Sequence, residues 1–259
     1  MIIGDNMKAL VTGGSSGIGL AIAKKLDSMG YDIILVSRNK KKLESVKQEL
    51  TNNTTTIATD ISSTYNCKKL FKKVKDEDID ILINCAGVGQ FGYFNESKID
   101  DDLDLIDLNI EATHTLTKLF LKYFNEKNNG YILNVASTAS FSPGPLMATY
   151  FASKAYVYRL TMAINEELKH LKSNVYVGCF CPGPVNTHFN DKLGIKFSKA
   201  IDSNDAAEIA INGMFKRKTT IIPSFSQRLN ARFSKLVPRK SLLKANYNVQ
   251  IKKLKNKQG

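Results

Sequence analysis

The chain has 259 residues, of which 43% are hydrophobic and 24% charged, so it is neither a disordered nor a fibrous protein. Its length predicts one large domain with a buried core. The formal net charge is +13, yet no Asp or Glu follows Glu208, whereas thirteen Lys and Arg residues do. The preceding part holds 24 basic and 24 acidic residues, so the body is neutral and needs no acidic partner such as nucleic acid.

The composition also indicates the compartment. The four cysteines, at 67, 85, 179 and 181, form no C-x-x-C pair and have no histidine at zinc-site spacing, which predicts reduced thiols and no metal site. Residues 1–6 do not resemble a signal peptide, and the longest uncharged stretch, 128–153, is too polar to span a membrane. We expect a cytoplasmic protein.

Apolar runs of strand length alternate with segments of helical period as far as about residue 222. The predicted strands are Lys8–Thr12, Asp32–Ser37, Thr54–Ala58, Ile79–Asn84, Tyr131–Val135, 175–181 and 219–222. Helices are predicted over 17–29, around Leu43 and Val46, around Leu70 and Val74, and over about 101–125 and 150–171. This alternation predicts an α/β domain with a doubly wound, mostly parallel sheet of about seven strands.

A glycine-rich segment, TGGSSGIG, spans positions 12–19 between the first strand and the first helix. Glycines allow a tight turn and a close backbone approach, and the free amides at the helix N-terminus attract a pyrophosphate. A dinucleotide site is therefore predicted here, although an ordinary tight turn has a similar sequence. At the end of the second strand Ser37 and Arg38 stand where an NAD site has a carboxylate. A guanidinium can pair with the 2′-phosphate of NADP, and the alternative is a solvated arginine.

Tyr150 and Lys154 are four residues apart on a predicted helix, so their side chains project the same way. A neighbouring cation favours a phenolate, which would lower the pKa of Tyr150 toward useful acid/base strength. Taken alone, such a pair is usually structural. Ser137 lies thirteen positions upstream, at the end of the fifth strand.

These segments together resemble the short-chain dehydrogenase/reductase family, from Lys8 to about Ile222. The glycine loop, the N-x-A-G turn at 84–87, Asn109, Ser137 with the Tyr150/Lys154 pair, and PGPVNT at 182–187 occur in the family's order and spacing. Cys85 and Ala136 depart from common forms of the motifs without removing a functional side chain. The resemblance implies a Rossmann-type single domain over 7–223, with a basic extension over 224–259.

The resemblance also implies roles. Tyr150 would be the general acid/base, Lys154 would lower its pKa and hold the nicotinamide ribose, Ser137 would bind the substrate oxygen, and Asn109 would support a water-linked proton path. Residues that would contact the cofactor, besides Tyr150 and Lys154, are Gly13, Ser15, Ser16, Gly17, Ile18, Gly19, Ser37, Arg38, Asp60, Ile61, Asn84, Ala86, Gly87, Pro182, Gly183, Val185 and Thr187.

Two C-terminal segments bear on the substrate and on partners. The loop 188–203 carries Phe189, Leu193, Ile195 and Phe197, which favours an apolar lid and a lipophilic carbonyl, although core packing explains the same residues. Beyond Pro223, Phe225, Leu229, Phe233 and Leu236 are flanked by basic residues and predict an amphipathic helix, broken at Pro238 and followed by a second basic helix. This tail could dock on the body or a partner subunit, attach peripherally to anionic lipid, or bind nucleic acid, the last being least favoured.

The sequence therefore predicts an NADP(H)-dependent carbonyl reductase or alcohol dehydrogenase, preferring NADP (NADPH) over NAD. One rival is a 3-oxoacyl or other lipid-intermediate reductase at the membrane surface. The other is a non-catalytic NADP-binding regulator, against which the presence of Asn109, Ser137, Tyr150 and Lys154 argues. The expected partners are a small carbonyl or alcohol substrate and further copies of the chain.

Overall fold

The computed structural model describes residues 7–187, 189, 193, 194, 200–233 and 237–258. Seven parallel strands form one sheet in the order β3-β2-β1-β4-β5-β6-β7. They are β1 Lys8–Thr12, β2 Asp32–Ser37, β3 Thr54–Ala58, β4 Ile79–Asn84, β5 Tyr131–Val135, β6 Tyr176–Phe180 and β7 Thr220–Ile221. The predicted doubly wound parallel sheet is confirmed.

Nine α-helices among the described residues connect and follow the strands. They are α1 Gly17–Asp27, α2 Lys40–Lys47, α3 Thr64–Val74, α4 Ile99–Ile106, α5 Thr113–Lys127, α6 Ala148–His170, α7 Ser203–Phe215, α8 Phe225–Phe233 and α9 Arg239–Gln258. Helices α1, α2 and α7 cover one face of the sheet, and α3, α5 and α6 cover the other. The side chains of alternate β1 residues pack on opposite faces of the sheet, with Ala9 and Val11 in one core and Leu10 in the other.

The predicted helix over 101–125 is in fact three segments. Helix α4 continues into a π-helical turn over Asp107–Ala112, and α5 follows directly. The wider i to i+5 turn rotates the side chains after it, and such turns often occur at functional sites. Helix α6 begins at Ala148, two residues before the predicted start, so that Tyr150 lies in its first turn.

A buried polar cluster joins the middle strands. Asn84 and Asn134 are register partners on β4 and β5, and the Asn84 amide donates to Asn134 Oδ1 at 2.9 Å. Thr117 of α5 also donates to Asn134 Oδ1, and the Asn134 amide donates to Thr161 of α6. Four buried polar side chains thus link two strands and two helices through the core.

Candidate active site

The glycine loop turns from β1 into α1 through two left-handed glycines, Gly13 and Gly17, with φ of +68° and +56°. A Cβ on Gly13 would lie 2.9 Å from the Cα of Ala86, and one on Gly19 would lie 2.4 Å from the carbonyl oxygen of Gly13. Only glycine fits these positions. Ser16 stands at the N-cap of α1 without a capping side-chain bond, so the helix presents free backbone amides toward the cavity.

Thr12 ties this loop to the turn after β4. Its Oγ1 accepts from the backbone amides of Cys85 and Ala86 at 3.1 and 3.2 Å. Cys85, Ala86 and Gly87 line the cavity, but the side chain of Asn84 does not, because it is committed to the buried polar cluster. The cofactor contact predicted for Asn84 stays a prediction, and its side chain is not part of the cavity lining.

The ends of β2 and β3 border a second cavity, lined by Arg38 and Asp60 among others. Ser15 donates to Ser37 at 2.8 Å, which connects the glycine loop to the end of β2. The Arg38 guanidinium lies 3.9 Å from an Asp60 oxygen, and both side chains are largely exposed. Ile61 packs its side chain into the hydrophobic core, and the cofactor contact predicted for this residue stays a prediction.

The predicted catalytic residues converge at the carboxyl ends of β5 and β6. Ser137 follows β5, donates its hydroxyl to the Pro182 carbonyl at 3.3 Å, and acts on the pKa of Tyr150 as a side-chain hydrogen-bond partner. Lys154, one turn further along α6, is 7% exposed, donates to the carbonyl oxygen of Val135 at 3.1 Å, and has its ammonium 5.9 Å from the Tyr150 ring centroid. The structure thus brings Ser137, Tyr150 and Lys154 to one wall of the main cavity.

Burial dominates the electrostatics of this wall. It raises the pKa of Tyr150 to about 12, while the hydrogen bond from Ser137 opposes the rise. Burial also lowers the pKa of Lys154. The prediction of a lowered pKa for Tyr150 is wrong for the protein alone, because desolvation of the phenol outweighs the Ser137 bond and the ammonium points to the Val135 carbonyl.

Asn109 lies in the π-helical turn and is 1% exposed. Its Oδ1 accepts from the backbone amide of Val88 at 2.9 Å, and its Nδ2 donates to the Val88 carbonyl and to Ser153, at 2.9 and 3.1 Å. Its Oδ1 and the Lys154 ammonium would both crowd a Cβ at Gly87, at 3.0 and 3.3 Å. Asn109 therefore lies near Lys154 and holds the segment after β4 against α6.

The segment after β6 forms the opposite wall of the cavity, through Pro182, Gly183, Val185 and Thr187. Its backbone is fixed to the β5 end, since Thr138 donates its amide to the Pro182 carbonyl at 2.8 Å. The Thr187 methyl would lie 3.2 Å from a Cβ on Gly17, so this segment approaches the glycine loop closely.

The main cavity has a volume of about 610 Å³ and extends from the glycine loop to helix α9. Phe189 and Leu193 of the predicted apolar lid line it; Ile195 and Phe197 lie outside the described residues. The tail also contributes lining residues that the sequence reasoning missed, namely Asn230, Asn246, Val249, Gln250 and Lys253. The two predicted segments, 7–223 and 224–259, thus surround one cavity.

Two of the tail residues are chemically distinctive. Gln250 is 6% exposed, and its Oε1 has no hydrogen-bond partner. Burial lowers the pKa of Lys253. A glutamine within a lysine-rich stretch gives no sequence signal of burial, so these residues could be found only once α9 was seen to pack against the cavity.

Several polar and sulfur-containing side chains make contacts outside the predicted catalytic set. Cys179 and Cys181 lie on the same side of β6 as buried free thiols, with their sulfurs 3.7 Å apart. His114 hydrogen-bonds Tyr156 at 2.7 Å. Across the described ranges, no cluster of His, Cys, Asp or Glu has the arrangement of a metal site.

Comparisons with known proteins agree with this geometry. The family model described as short chain dehydrogenase matches residues 7–196. An uncharacterized oxidoreductase of Staphylococcus epidermidis is 32% identical over 205 residues, covering 78% of this chain and 88% of that protein.

Two solved structures are also similar. A short-chain dehydrogenase from Sphingobium yanoikuyae, in complex with NADPH, has a TM-score of 0.80 at 28% identity, covering 87% of this chain and 91% of that one. The bulky-bulky ketone specific alcohol dehydrogenase from Comamonas testosteroni has a TM-score of 0.77 at 27% identity, covering 88% and 90%. The predicted family is confirmed: the chain belongs to the short-chain dehydrogenase/reductase family of oxidoreductases.

Proposed function

We propose that the protein is an NADP(H)-dependent oxidoreductase that interconverts a carbonyl compound and its alcohol, with Tyr150 as the general acid/base. The observation that carries this proposal is that Ser137, Tyr150 and Lys154 line the same cavity as the uncapped N-terminus of α1. One end of the cavity suits a pyrophosphate, and the other offers two hydroxyl groups to a substrate oxygen.

The residues present fit a dinucleotide. The left-handed glycines, the free amides of α1 and the lack of side chains at Gly13, Gly17 and Gly19 provide a cradle for phosphate oxygens. Lys154 and the backbone of the 182–187 segment would hold the nicotinamide half. When bound, the reduced nicotinamide supplies a hydride.

In the reductive direction, the Ser137 and Tyr150 hydroxyls would hydrogen-bond the substrate's carbonyl oxygen and polarise it. With a pKa of about 12, Tyr150 is protonated at neutral pH and can donate its proton as the carbonyl carbon is reduced. The Ser137 hydroxyl would stabilise the resulting phenolate. In the oxidative direction Tyr150 must first lose its proton and then accept one from the alcohol.

A preference for NADP is supported by Arg38 at the end of β2, where its side chain is 63% exposed and its ion pair with Asp60 is long, at 3.9 Å. A 2′-phosphate would pair with this guanidinium more strongly than the exposed carboxylate does.

We expect Arg38→Ala to weaken NADPH binding at least about tenfold while changing NADH binding little. Lys41→Ala, another exposed cation nearby in sequence, is the control. Equal losses for both cofactors would refute the assignment.

The cavity supports a lipophilic carbonyl substrate with a polar end. Met147, Phe151, Phe189 and Leu193 supply apolar surface near Tyr150, whereas Gln250 and Lys253 supply polar groups from α9. The ketone-specific alcohol dehydrogenase from Comamonas testosteroni is a similar structure whose name denotes bulky ketones. A bulky ketone is therefore the first substrate class to test, followed by 3-oxoacyl thioesters.

The test follows NADPH consumption by the purified protein against ketones, aldehydes, steroids, sugars and 3-oxoacyl thioesters. Tyr150→Phe should reduce kcat about 10²- to 10⁴-fold while leaving NADPH binding intact, because only the transferred proton is lost. Tyr158→Phe, on the same helix and outside the cavity lining, is the control. Tight NADPH binding without turnover on any class would favour the cofactor-binding regulator instead.

A further inference from the structure

Helix α8 packs with its polar side inward. Its Gln227 lies against Gly183, where a Cβ would meet the Gln227 amide nitrogen at 2.2 Å, and the Gln227 Oε1 is buried. Phe225, Leu229 and Phe233 point outward instead, with 75%, 42% and 52% of their surfaces exposed. These three residues, spaced four apart, form what we call the apolar stripe of α8. Their orientation is the reverse of that expected for an amphipathic helix on a soluble domain.

The apolar stripe of α8 lies in a strongly basic part of the sequence. The thirteen basic residues beyond Glu208 have no acidic residue among them, and they account for the whole net charge of the chain. Arg228 on α8 and Lys240 and Lys244 on α9 are exposed. An apolar stripe within a tail of ten basic residues and no acidic one is the composition of helices that lie in the interface of an anionic membrane.

We propose that the apolar stripe of α8 and the exposed basic residues of the tail form a docking surface for an anionic lipid bilayer, with the phenylalanines inserted at the headgroup level. Charge decides between this occupant and a second copy of the chain. Two copies meeting through α8 would bring together two tails, 224–259, that each hold ten basic residues and no carboxylate, and like charges repel. An anionic surface both neutralises the cations and buries the stripe.

The attachment would be peripheral. Within the ranges that the structure describes, no helix is long and apolar enough to cross a bilayer. Three partly inserted side chains and several cations near the surface suffice for reversible binding that falls with ionic strength.

The experiment measures co-sedimentation of the full-length protein with vesicles of phosphatidylcholine, with and without phosphatidylglycerol. We expect binding to the anionic vesicles only, weakened by salt. Phe225→Ser with Phe233→Ser should weaken it about tenfold or more, because two apolar rings leave the interface. Leu171→Ser is the matched control, since Leu171 is a 72% exposed apolar residue on the body. Its binding should be unchanged.

A second pair of variants tests the charge. Lys240→Glu with Lys244→Glu should weaken binding by at least about fivefold per residue, whereas Lys68→Glu with Lys69→Glu on exposed positions of α3 should change it little. Equal effects of the two pairs would overturn the proposal, because they would show a response to net charge alone. All these residues are exposed, so the variants should fold.

Three other outcomes would also overturn it. Equal binding to neutral and anionic vesicles would remove the role of the cations. A concentration-dependent dimer that dissociates in the phenylalanine variant would identify a second copy as the occupant. Binding of duplex DNA that depends on Lys240 and Lys244 but not on the phenylalanines, without vesicle binding, would identify nucleic acid. None of these measurements requires turnover, so a result that refutes membrane binding would leave the proposed reaction untouched.

Discussion

Replacement of Asn109 tests whether the π-helical turn stabilises the site through one side chain. Asn109→Ala removes the bond that Asn109 Oδ1 accepts from the Val88 amide and the two that Nδ2 donates, to the Val88 carbonyl and to Ser153. Alanine restores none of them. Because Asn109 is 1% exposed, water cannot easily replace the lost partner.

The expected magnitude follows from these contacts. Two partly buried backbone groups of Val88 lose their partner, and each such loss costs about 1–3 kcal/mol. The sum, about 2–6 kcal/mol, corresponds to a fall in Tm of roughly 4–24 °C for a domain of this size. Activity should fall as well, since Asn109 holds both the segment after β4 and Ser153, the neighbour of Lys154 on α6.

Chemical denaturation of wild type and Asn109→Ala at neutral pH gives the free energy of unfolding directly. Asn66→Ala, which removes one bond from an amide to the Asp60 carbonyl at the surface, is the control and should cost less than about 1 kcal/mol. A loss of stability in Asn109→Ala no larger than in this control would refute the reasoning. So would a full loss of stability with unchanged kcat, because the anchor would then be irrelevant to the site.

Three further changes are predicted. Asp27→Ala should destabilise the protein by about 2–4 kcal/mol in denaturant titrations, since the buried carboxylate accepts from the amides of Thr51 and Asn52. Gln250→Leu should leave kcat for an apolar ketone unchanged and raise KM for a substrate with a polar end. Among the described residues that line the cavity, Gln250 is the only one with a buried side-chain amide, and the variant removes it. Tyr150→Phe should change alkaline stability: the folded pKa of about 12 exceeds the unfolded value of 10, so the wild type holds this stability below pH 10 and loses it as the pH rises to 12. The variant should therefore lose about 2–3 kcal/mol less between pH 10 and 12 in urea titrations.

The strands could be predicted from the sequence because a parallel sheet buried on both faces needs continuous apolar runs. β1 and β4 are such runs, and each is followed by a turn whose backbone geometry restricts which residue types fit. At Gly13, for example, φ is left-handed and a side chain would not fit, and in the sequence a glycine within a predicted turn indicates both properties. The position of the phosphate cradle was therefore predictable.

Other features depend on contacts between distant parts of the chain. The π-helical turn at Asn109 arises where α4 and α5 meet the segment after β4, and the local sequence there has ordinary helical period. The rise in the pKa of Tyr150 depends on how deeply its hydroxyl is buried, which spacing alone does not reveal. Likewise, Gln250 contacts the cavity only because α9 packs across it.

The buried polar cluster between β4 and β5 has a consequence for the precision of the site. Parallel strands made of similar apolar residues could slide by two positions at little cost in hydrophobic burial. Such a slide would separate Asn84 from Asn134 and leave several buried amide and hydroxyl groups without partners. The cluster therefore fixes the register of β4 against β5. It keeps the turn at Cys85 level with Ser137, so that the two halves of the catalytic cavity are assembled at the same height on the sheet.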